Sequence, residues 1–548
     1  MTTDTPHTVR HFRQILLWPL QLVPLPAGEQ RSHWQVLESQ PGGIWRRVAD
    51  EFTTDPGEFR ERHYKEFVAF LPYVQRFLYG ESRGSKHRHA DDPLGDSALK
   101  VFRRYDIAAV RLTLHEGADP VVLDVAHVDL CFFDDIDVAT LDVEVYTDNL
   151  PLATARDLLY RFGRAYPTAW DENGQGVHNA YRTEWLAADG SVLAASDAGN
   201  RARFLSFACA HRAPSVSEHW AFLLRPLALD AAGEEGELHY RQIEYHRMPL
   251  MAYLAVDNPR RIPREDWLRL GLIATLHPDE ALSNSDPAVA EFETRTCYDR
   301  YWTDSDAGPN TRFLCTGRAL VVVGDAAAGY FRDEERGILS QFRHQYALIF
   351  LIAHFHRAAL LVFSDRLVDA IHDLDIRRPE SLRSFRRRIH ESFEAFLRFT
   401  HRYWFYEVSE RAHIQALYRL LADRLGTRYL HDEVKDELRD MSQYLDSDVQ
   451  RRQSNTVVRL TVITVLGLIG TVTTGYFGMN LMALAESPMH ERLFYFFVVT
   501  AVVTVLTFLS VARSRRLSDF LEAISDDTLG SRAKWSALRR VFYSRPGE

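Results

Sequence analysis

Cysteine is scarce in this sequence, and its few cysteines are widely spaced. The 548 residues contain 4 cysteines, and no two of them form a Cys-x-x-Cys pair. They are Cys131, Cys209, Cys297 and Cys315. Disulfide frameworks belong to small, cysteine-dense secreted domains. We therefore expect reduced, structural cysteines in a cytosolic compartment.

An excess of positive charge is also missing. The formal net charge is -10 at pH 7, and the pI is about 6.2. A nucleic-acid partner would need a basic patch or stripe, so none is expected. Two interpretations of the acidity stay open: it gathers cations, or it only keeps the surface solvated. No signal peptide is visible, so the N-terminus is expected to stay inside.

Long hydrophobic runs are few. Two of them, at 457–477 and 493–512, each approach the roughly 20 residues that a helix needs to cross a bilayer. We predict two transmembrane helices within 456–512, joined by a short outer loop at 478–492.

Arginines predict the orientation of these helices. They flank both runs on the sides away from the connecting loop, which has only Arg492. The flanking residues are Arg451, Arg452, Arg459, Arg513, Arg515 and Arg516. By the positive-inside rule, both termini and the tail at 513–548 are cytoplasmic.

A third apolar stretch, at 345–363, is interrupted by His354, His356 and Arg357. Charged groups at bilayer depth are costly. We therefore predict a buried helix of the soluble part there.

The first 330 residues mix two hydrophobic periodicities. Stretches rich in branched and aromatic residues predict strands at 15–25, 107–114, 121–133, 139–146, 241–256 and 319–323. Helical spacing predicts helices at 58–78, 152–162 and 264–272. Polar connections are predicted at 81–96 and 279–306. The pattern is typical of a cytoplasmic α/β domain over 1–330, either one domain or two.

Residues 331–455 have a helical pattern. Pro379 fits the first turn of a helix predicted to run to Leu425, where Gly426 can cap it. An apolar stripe follows at Leu430, Val434, Leu438, Met441, Leu445 and Val449. No glycine or proline intervenes before Gly467, so this helix is predicted to enter the membrane as a rod of ~75 Å that needs partners along its stripe. The predicted fold is an α+β cytoplasmic domain, then long stalk helices, then two C-terminal transmembrane helices.

The first membrane run closes with Phe477-Gly478-Met479-Asn480. This motif, followed by a short loop and a second apolar helix, resembles the CorA family of divalent-cation channels and transporters. Thr471 and Gly475 also stand where that family's pore helix often has Thr and Gly. Two departures are Ile469, in place of a proline common in that helix, and 483–488, which lacks the family's Met-Pro-Glu-Leu loop.

The resemblance implies a transporter without a bound cofactor. It would be a homo-oligomer, a pentameric funnel, surrounded by lipid in a bacterial-type inner membrane. The cargo or regulatory ion would be Mg²⁺, or alternatively Zn²⁺, Ni²⁺ or Co²⁺.

The selectivity motif would be Gly478, Met479 and Asn480. A ring of neutral Asn480 amides could hold hydrated Mg²⁺ loosely enough to release it. The alternative is structural, because Gly and Asn are also the usual residues that end a helix.

A pore formed by the first span would need a small, weakly polar face. Such a face is predicted at Thr464, Gly467, Leu468, Thr471 and Gly475. Small residues also let membrane helices pack closely, and threonines bond to their own backbone. Both interpretations stay open.

Acidic residues offer two further candidate sites. Glu486 and Glu491 could concentrate cations at the outer mouth, and Glu486 has the spacing of the family's loop glutamate. By the resemblance, Asp432, Asp436 and Asp440 are candidates for cation sensing at subunit interfaces, although helix pairing with nearby basic residues also explains them. No tightly bound metal is predicted.

No catalytic constellation is expected. Acidic residues between 129 and 144 alternate with apolar ones, as on the solvent face of a strand; they are Asp129, Asp134, Asp135, Asp137, Asp142 and Glu144. His87 and His89 are interpreted as exposed loop residues. We expect a transporter rather than an enzyme. The alternative is a membrane-anchored cytosolic enzyme or interaction platform whose spans only tether and oligomerise it.

Overall fold

A computed structural model gives the fold of this protein. It describes residues 7–26, 29, 31–40, 42–49, 59–81, 97–233, 236–243, 246–274, 286–302, 310–372, 374–375, 379–478 and 488–525. The chain divides into two compact units, Met1–Arg439 and Asp440–Glu548. Each unit is described by itself below.

One mixed sheet organises the first unit, and its described part has fourteen strands. The strands are β1 (Thr8–Leu22), β2 (Trp45–Arg47), β3 (Leu99–Arg104), β4 (Ala109–Thr113), β5 (Val121–Phe133), β6 (Ile136–Pro151), β7 (Arg182–Leu186), β8 (Val192–Ala195), β9 (Ala228–Leu229), β10 (His239–Gln242), β11 (Leu250–Val256), β12 (Cys297–Tyr298), β13 (Arg312–Cys315) and β14 (Ala319–Asp325). The main order is β12-β13-β14-β11-β1-β6-β5-β4-β7-β8. Most neighbours are antiparallel, but β11 and β14 are parallel, so this is an α+β domain with a mixed sheet.

Helices cover the sheet and then continue the chain. The α-helices are α1 (His33–Glu38), α2 (Glu61–Phe67), α3 (Pro72–Tyr79), α4 (Leu152–Arg161), α5 (Arg201–His211), α6 (Glu218–Leu224), α7 (Arg264–Leu272), α8 (Asp286–Thr296), α9 (Gly329–Arg332), α10 (Ile338–Gln341), α11 (Ala347–His372), α12 (Pro379–Arg402), α13 (Ala412–Leu425), α14 (Thr427–Gly478) and α15 (Met489–Ser525). A π-helical turn, Phe342–Tyr346, joins α10 to α11.

The central strand β1 is covered on both faces. Side chains alternate along a strand, so Phe12, Leu16 and Trp18 share one face and form part of the main apolar core. On that face Leu16 approaches Gly163, which follows α4. The other face carries Arg13, and α11 packs against β1 and β6. The strand is buried because helices lie on both sides of it.

Several predicted elements are confirmed. The segments Val121–Phe133 and Arg264–Leu272 have the predicted bounds, and the apolar N-terminal stretch is strand β1. All four cysteines are free, and Cys131 and Cys315 are buried.

Three predicted segments have more structure than expected. The helix predicted at 58–78 is two helices, because Pro72 starts α3 at its first position. The strand predicted at 241–256 is the two strands β10 and β11. The polar connection predicted at 279–306 contains α8 and β12. Most of the other predicted connection, including His87 and His89, lies outside the described residues.

The prediction of one helix from Pro379 to Leu425 is wrong. The chain leaves the helix after Arg402 and re-enters it at Ala412. Between them Trp404 stacks on His431 with ring centroids 4.5 Å apart, and the Gln415 side chain accepts hydrogen bonds from the Val408 and Ser409 amides. Tertiary packing of aromatic side chains therefore replaces the glycine or proline that would have marked this break.

The prediction of a buried helix around 345–363 is confirmed. Ile338–His372 is long and apolar enough to cross a membrane, but 72% of its most apolar window is buried inside the fold. His356 lies in that helix, and its Nε2 donates a hydrogen bond to the Tyr403 carbonyl over 2.5 Å. Burial lowers the pKa of His356 to about 3, so it is neutral at pH 7. A neutral, bonded histidine is compatible with a protein core.

The long helix predicted after Gly426 is also confirmed. Gly426 has φ 65°, the left-handed conformation that ends α13, and α14 then continues for 52 residues, or ~78 Å. The apolar stripe of this helix needs partners, as predicted, and the chain itself supplies some of them. Val434 and Leu438 are each 1% exposed within the single chain. This part of the stripe is therefore an internal packing face.

Candidate pore face and membrane helices

The helix α14 reaches the position where the sequence predicts the end of the first membrane span. Gly478 is the last residue described in this helix. Met479, Asn480 and Glu486 lie outside the described residues. The structure therefore places Gly478 on α14, and the rest of the motif stays a prediction.

The predicted pore-lining residues share one exposed face of α14. Thr464, Gly467, Leu468, Thr471 and Gly475 are all exposed within the single chain, as is Gly478. Thr464, Thr471 and Gly478 are seven residues apart, and this spacing drifts by only about 20° per step around a helix. The small residues thus form one continuous stripe that this chain leaves uncovered.

The covered face of the same helix lies on the other side. Thr473 is 3% exposed and sits about 180° around the helix from Thr464. Val465, Ile469 and Tyr476 are half-buried and lie toward the Thr473 side. The chain therefore packs the side of α14 opposite the small-residue stripe.

Threonine hydroxyls on α14 bond to the helix backbone. The Oγ1 atoms of Thr471, Thr473 and Thr474 donate hydrogen bonds to the carbonyls four residues earlier, over 2.9, 2.7 and 2.9 Å. This is the back-bonding expected of threonine in a helix. It uses the hydroxyl proton but leaves oxygen lone pairs, so an exposed Thr471 is a hydrogen-bond acceptor toward the stripe.

The glycines of this helix have open space around them. A Cβ atom added at Gly467, Gly470 or Gly475 would meet no atom within 4 Å. Close packing within the chain therefore does not explain these glycines. They leave room on the outside of the helix, either for a second copy or for a passage.

The second membrane run forms the start of α15. Its segment Met489–Thr507 is long and apolar enough to cross a membrane, and none of it is buried inside the protein. Phe494, Phe497 and Leu506 are 64%, 65% and 59% exposed. Large apolar side chains in such a continuous exposed set need an apolar environment, and lipid provides it.

The candidate acidic residues that the structure describes are exposed, and they do not form a cluster that could hold a metal ion. Glu491 lies in the first turn of α15, where a negative charge is favourable near the helix N-terminus. Asp432, Asp436 and Asp440 are exposed on α14. Among the described residues, no group of three His, Cys, Asp or Glu side chains could hold a metal ion.

The interpretation of the acidic strand residues as a solvent face is wrong for Asp129 and Glu144, which are buried, whereas Asp135 is exposed. Glu144 is 1% exposed and forms ion pairs with Arg13, Arg343 and His127. Burial opposes the ionisation of Glu144, but these three neighbours outweigh it and lower its pKa. Arg343, on the turn before α11, reaches this face of the sheet and pairs with Glu144. The face is therefore covered by the chain that follows the sheet.

A second carboxylate on this face is paired as well. Asp129 accepts two hydrogen bonds of 2.7 Å from Arg103 on the neighbouring strand. Residues of opposite charge occur at alternate positions of β3, β5 and β6. This pattern in the sequence is the signal that indicates a network between neighbouring strands. The sequence shows these charges but not the helices that cover them.

Asp142 has no such partner. Its Oδ1 is buried without a hydrogen-bond partner among the described residues, although the residue as a whole is half-buried. Burial, together with the carboxylates of Asp129 and Glu144, raises the pKa of Asp142 to about 7 against the opposing charges of His127 and Arg103. The folded protein therefore holds a proton on Asp142 that the unfolded chain, with a pKa near 3.9, releases.

This proton predicts a pH-dependent effect of Asp142→Asn. Between about pH 4 and pH 7 the folded state binds more protons, so the Asp142 carboxyl makes the protein less stable as pH rises. The amide of the variant does not ionise, so the variant avoids this loss of stability. The resulting gain in the free energy of unfolding is at most roughly 4 kcal/mol at pH 8. The variant should melt at a higher temperature than the wild type at pH 8, and the increase should be clearly smaller at pH 5.

The matched control is Asp124→Asn, at an exposed position of β5. Its melting temperature should follow the wild type at both pH values. If Asp142→Asn changed the melting temperature equally at pH 5 and pH 8, the raised pKa would be wrong.

Together, the described helices define a class of protein: a membrane protein with a large α+β domain before a C-terminal membrane part. Residues 363–513 match the family model described as CorA-like Mg2+ transporter protein. This part of the chain is therefore a CorA-like domain, and the resemblance predicted from the Gly-Met-Asn motif is confirmed. The match covers a little over a quarter of the chain and begins within α11, after the sheet. A comparison with curated proteins found no match.

Proposed function

We propose that this protein transports divalent cations, with Mg²⁺ as the main cargo, through a ring of identical subunits. The CorA-like match supports divalent cation transport as the general activity. The observation that carries the finer proposal is the uncovered small-residue stripe of α14. Two helices of one chain cannot enclose a water-filled path, so a passage along this stripe requires several copies.

The stripe has suitable chemistry for a hydrated ion. Mg²⁺ releases its water ligands reluctantly, and the outer hydrogens of those waters need acceptors. Thr471 supplies one, because its own proton is donated to the Gly467 carbonyl. Glycine at 467 and 475 leaves width for the hydration shell. A weakly polar wall of this kind lets an ion pass without holding it.

Selectivity is assigned to Gly478, Met479 and Asn480 at the end of this helix. Asn480 would receive the hydrated ion through its amide oxygen. Glu486 and Glu491 would raise the local cation concentration before it reaches the ring. Asp432, Asp436 and Asp440 would sense the cation on the cytoplasmic side, at contacts between subunits.

The proposed assembly is a homopentamer in a bacterial-type inner membrane with both termini in the cytoplasm. The exposed apolar side chains of α15 would face lipid. The described half-buried residues of α15, which include Val499, Val503 and Thr507, would pack within the membrane part.

A flux assay tests the proposal. The full-length protein is purified, reconstituted into liposomes that contain a Mg²⁺-sensitive dye, and exposed to outward or inward Mg²⁺ gradients. We expect Mg²⁺ entry well above that of protein-free liposomes, with Zn²⁺, Ni²⁺ and Co²⁺ compared in parallel. If a correctly assembled protein carried none of the four ions, the membrane helices would be an anchor and the transport proposal would be wrong.

A further inference from the structure

Four arginines from distant parts of the chain line one cavity in the first unit. The cavity has a volume of about 220 Å³. Arg247 precedes β11, Arg318 lies in the turn before β14, Arg357 is on α11, and Arg424 is in the last turn of α13. Apolar side chains, including Ile273 and Leu425, form the rest of the wall.

Two guanidinium groups of this arginine cavity donate hydrogen bonds to backbone carbonyls. Arg247 donates a hydrogen bond of 2.8 Å to the Ile273 carbonyl, and Arg357 donates one of 2.6 Å to the Leu425 carbonyl. Among the described residues, no carboxylate forms an ion pair with Arg247, Arg318 or Arg424. The described lining also contains no Asp or Glu. The half-buried Arg247 and Arg318 thus lack a carboxylate partner among the described residues, in a protein with a net charge of -10.

The positive charges are close enough to affect each other. Burial, together with the nearby positive charges of Arg164 and Arg318, lowers the pKa of Arg247 to about 10. Arg247 is still charged at pH 7. Burial and the same positive neighbourhood lower the pKa of His246 to about 4. The charge of Arg318 therefore adds an electrostatic cost at Arg247, and an anion in the cavity would offset that cost.

The wall of the cavity is held in place without a ligand. Gly317 has φ +86°, and a Cβ atom there would lie 3.0 Å from the Arg424 carbonyl oxygen, so the turn and the end of α13 are in close contact. His354 Nε2 also donates a hydrogen bond of 3.2 Å to the Gly317 carbonyl. Only glycine fits this close approach in a left-handed conformation. The cavity is thus preorganised, which lowers the entropic cost of binding.

The volume and the lining residues of the arginine cavity indicate which class of ligand fits it. The volume is below the roughly 300–1,000 Å³ of pockets for drug-sized molecules. No aromatic side chain is among the described lining residues, so a nucleotide base would have nothing on which to stack. Guanidinium groups bind phosphate oxygens through paired, charge-assisted hydrogen bonds. We propose that the arginine cavity is a binding site for a compact phosphate-class anion.

The site lies beside the start of the long helix. Arg424 is two residues before Gly426, where α13 ends, and α14 begins at Thr427. An anion bound to Arg424 would therefore contact the segment from which α14 begins. The proposal does not depend on the transport activity, because binding is measured without flux.

Calorimetric titration of the full-length, detergent-solubilised protein with pyrophosphate, and in parallel with inorganic phosphate, tests this proposal at constant ionic strength. We expect one pyrophosphate site per chain. The double variant Arg318→Gln/Arg424→Gln should weaken binding by at least about tenfold, because several charge-assisted hydrogen bonds are lost. The control Arg201→Gln/Arg261→Gln removes the same charge at exposed positions away from the cavity and should bind as the wild type does.

The single variant Arg424→Gln provides a second measurement if the double variant folds poorly, since Arg424 is exposed. It should also weaken pyrophosphate binding. Absence of binding to the wild type, or equal weakening by the control pair, would overturn the proposal. A parallel titration with ATP separates the sources of phosphate: ATP binding at least tenfold tighter than pyrophosphate would mean that the site is built for a nucleotide, and the assignment to a compact anion would be wrong.

Discussion

Replacing Asn480 by alanine is expected to abolish divalent-cation flux while the protein still assembles. If the amides form a ring at the mouth of the passage, each contacts water and the hydrated ion rather than the protein core. Removing them takes away the acceptors that receive the ion, so flux in liposomes should fall to the level of protein-free controls. The oligomer size in detergent and the melting temperature should stay close to those of the wild type.

The capping interpretation predicts a different result. If Asn480 only ends the helix, its loss costs ~1 kcal/mol of stability and leaves transport largely intact. A correctly assembled Asn480→Ala protein with normal flux of Mg²⁺, Zn²⁺, Ni²⁺ and Co²⁺ would therefore contradict its role in selectivity.

The variant Asn480→Asp is a matched control of nearly the same size. A ring of carboxylates should bind the ion more tightly than a ring of amides and release it more slowly. We expect saturation at a lower Mg²⁺ concentration together with a lower maximal flux. Loss of flux in the alanine variant combined with tighter binding in the aspartate variant would separate ion contact from helix capping.

The sequence predicted the elements whose signals are local. The long helix α14 follows from an uninterrupted helical pattern after Gly426, whose backbone ends α13. The strand Val121–Phe133 lies between Pro120 and Asp134, and the helix Arg264–Leu272 begins directly after Pro263. The buried part of α11 was predictable because His354, His356 and Arg357 are too costly for a lipid environment.

Features that depend on contacts between distant residues were missed. The helix break at 403–411 has no glycine or proline, and it depends on Trp404 packing against His431. The stripe residues Val434 and Leu438 are buried within the single chain, and their spacing alone does not show this. A one-dimensional pattern shows that an apolar face must be covered, but it does not show by what.

Charged sites depend even more on contacts between residues that are far apart in the sequence. The ion pairs of Glu144 join residues 13, 127 and 343, and the arginine cavity joins residues 247, 318, 357 and 424. No spacing rule connects positions so far apart in the chain. The candidate pore face was predictable because one helix carries all of it at a regular interval.

Replacing Gly475 by leucine gives the most direct test of that face. A Cβ atom at Gly475 meets nothing within 4 Å, so the larger side chain does not disturb the single chain. Leucine also favours a helix over glycine by roughly 0.5–1 kcal/mol. In a ring of subunits, however, the added side chains would meet at the axis and form an apolar constriction that excludes a hydrated ion. We expect loss of Mg²⁺ flux in liposomes without loss of stability.

Gly470→Leu is the matched control, because Gly470 has equally open surroundings but lies about 140° around the helix from Gly475. The same substitution there points the side chain away from the proposed passage. With the oligomer size of both variants measured in detergent, an assembled Gly470→Leu protein should conduct, whereas an assembled Gly475→Leu protein should not. Equal flux in the two assembled variants would mean that the stripe from Thr464 to Gly478 packs against other helices and does not line the path of the ion.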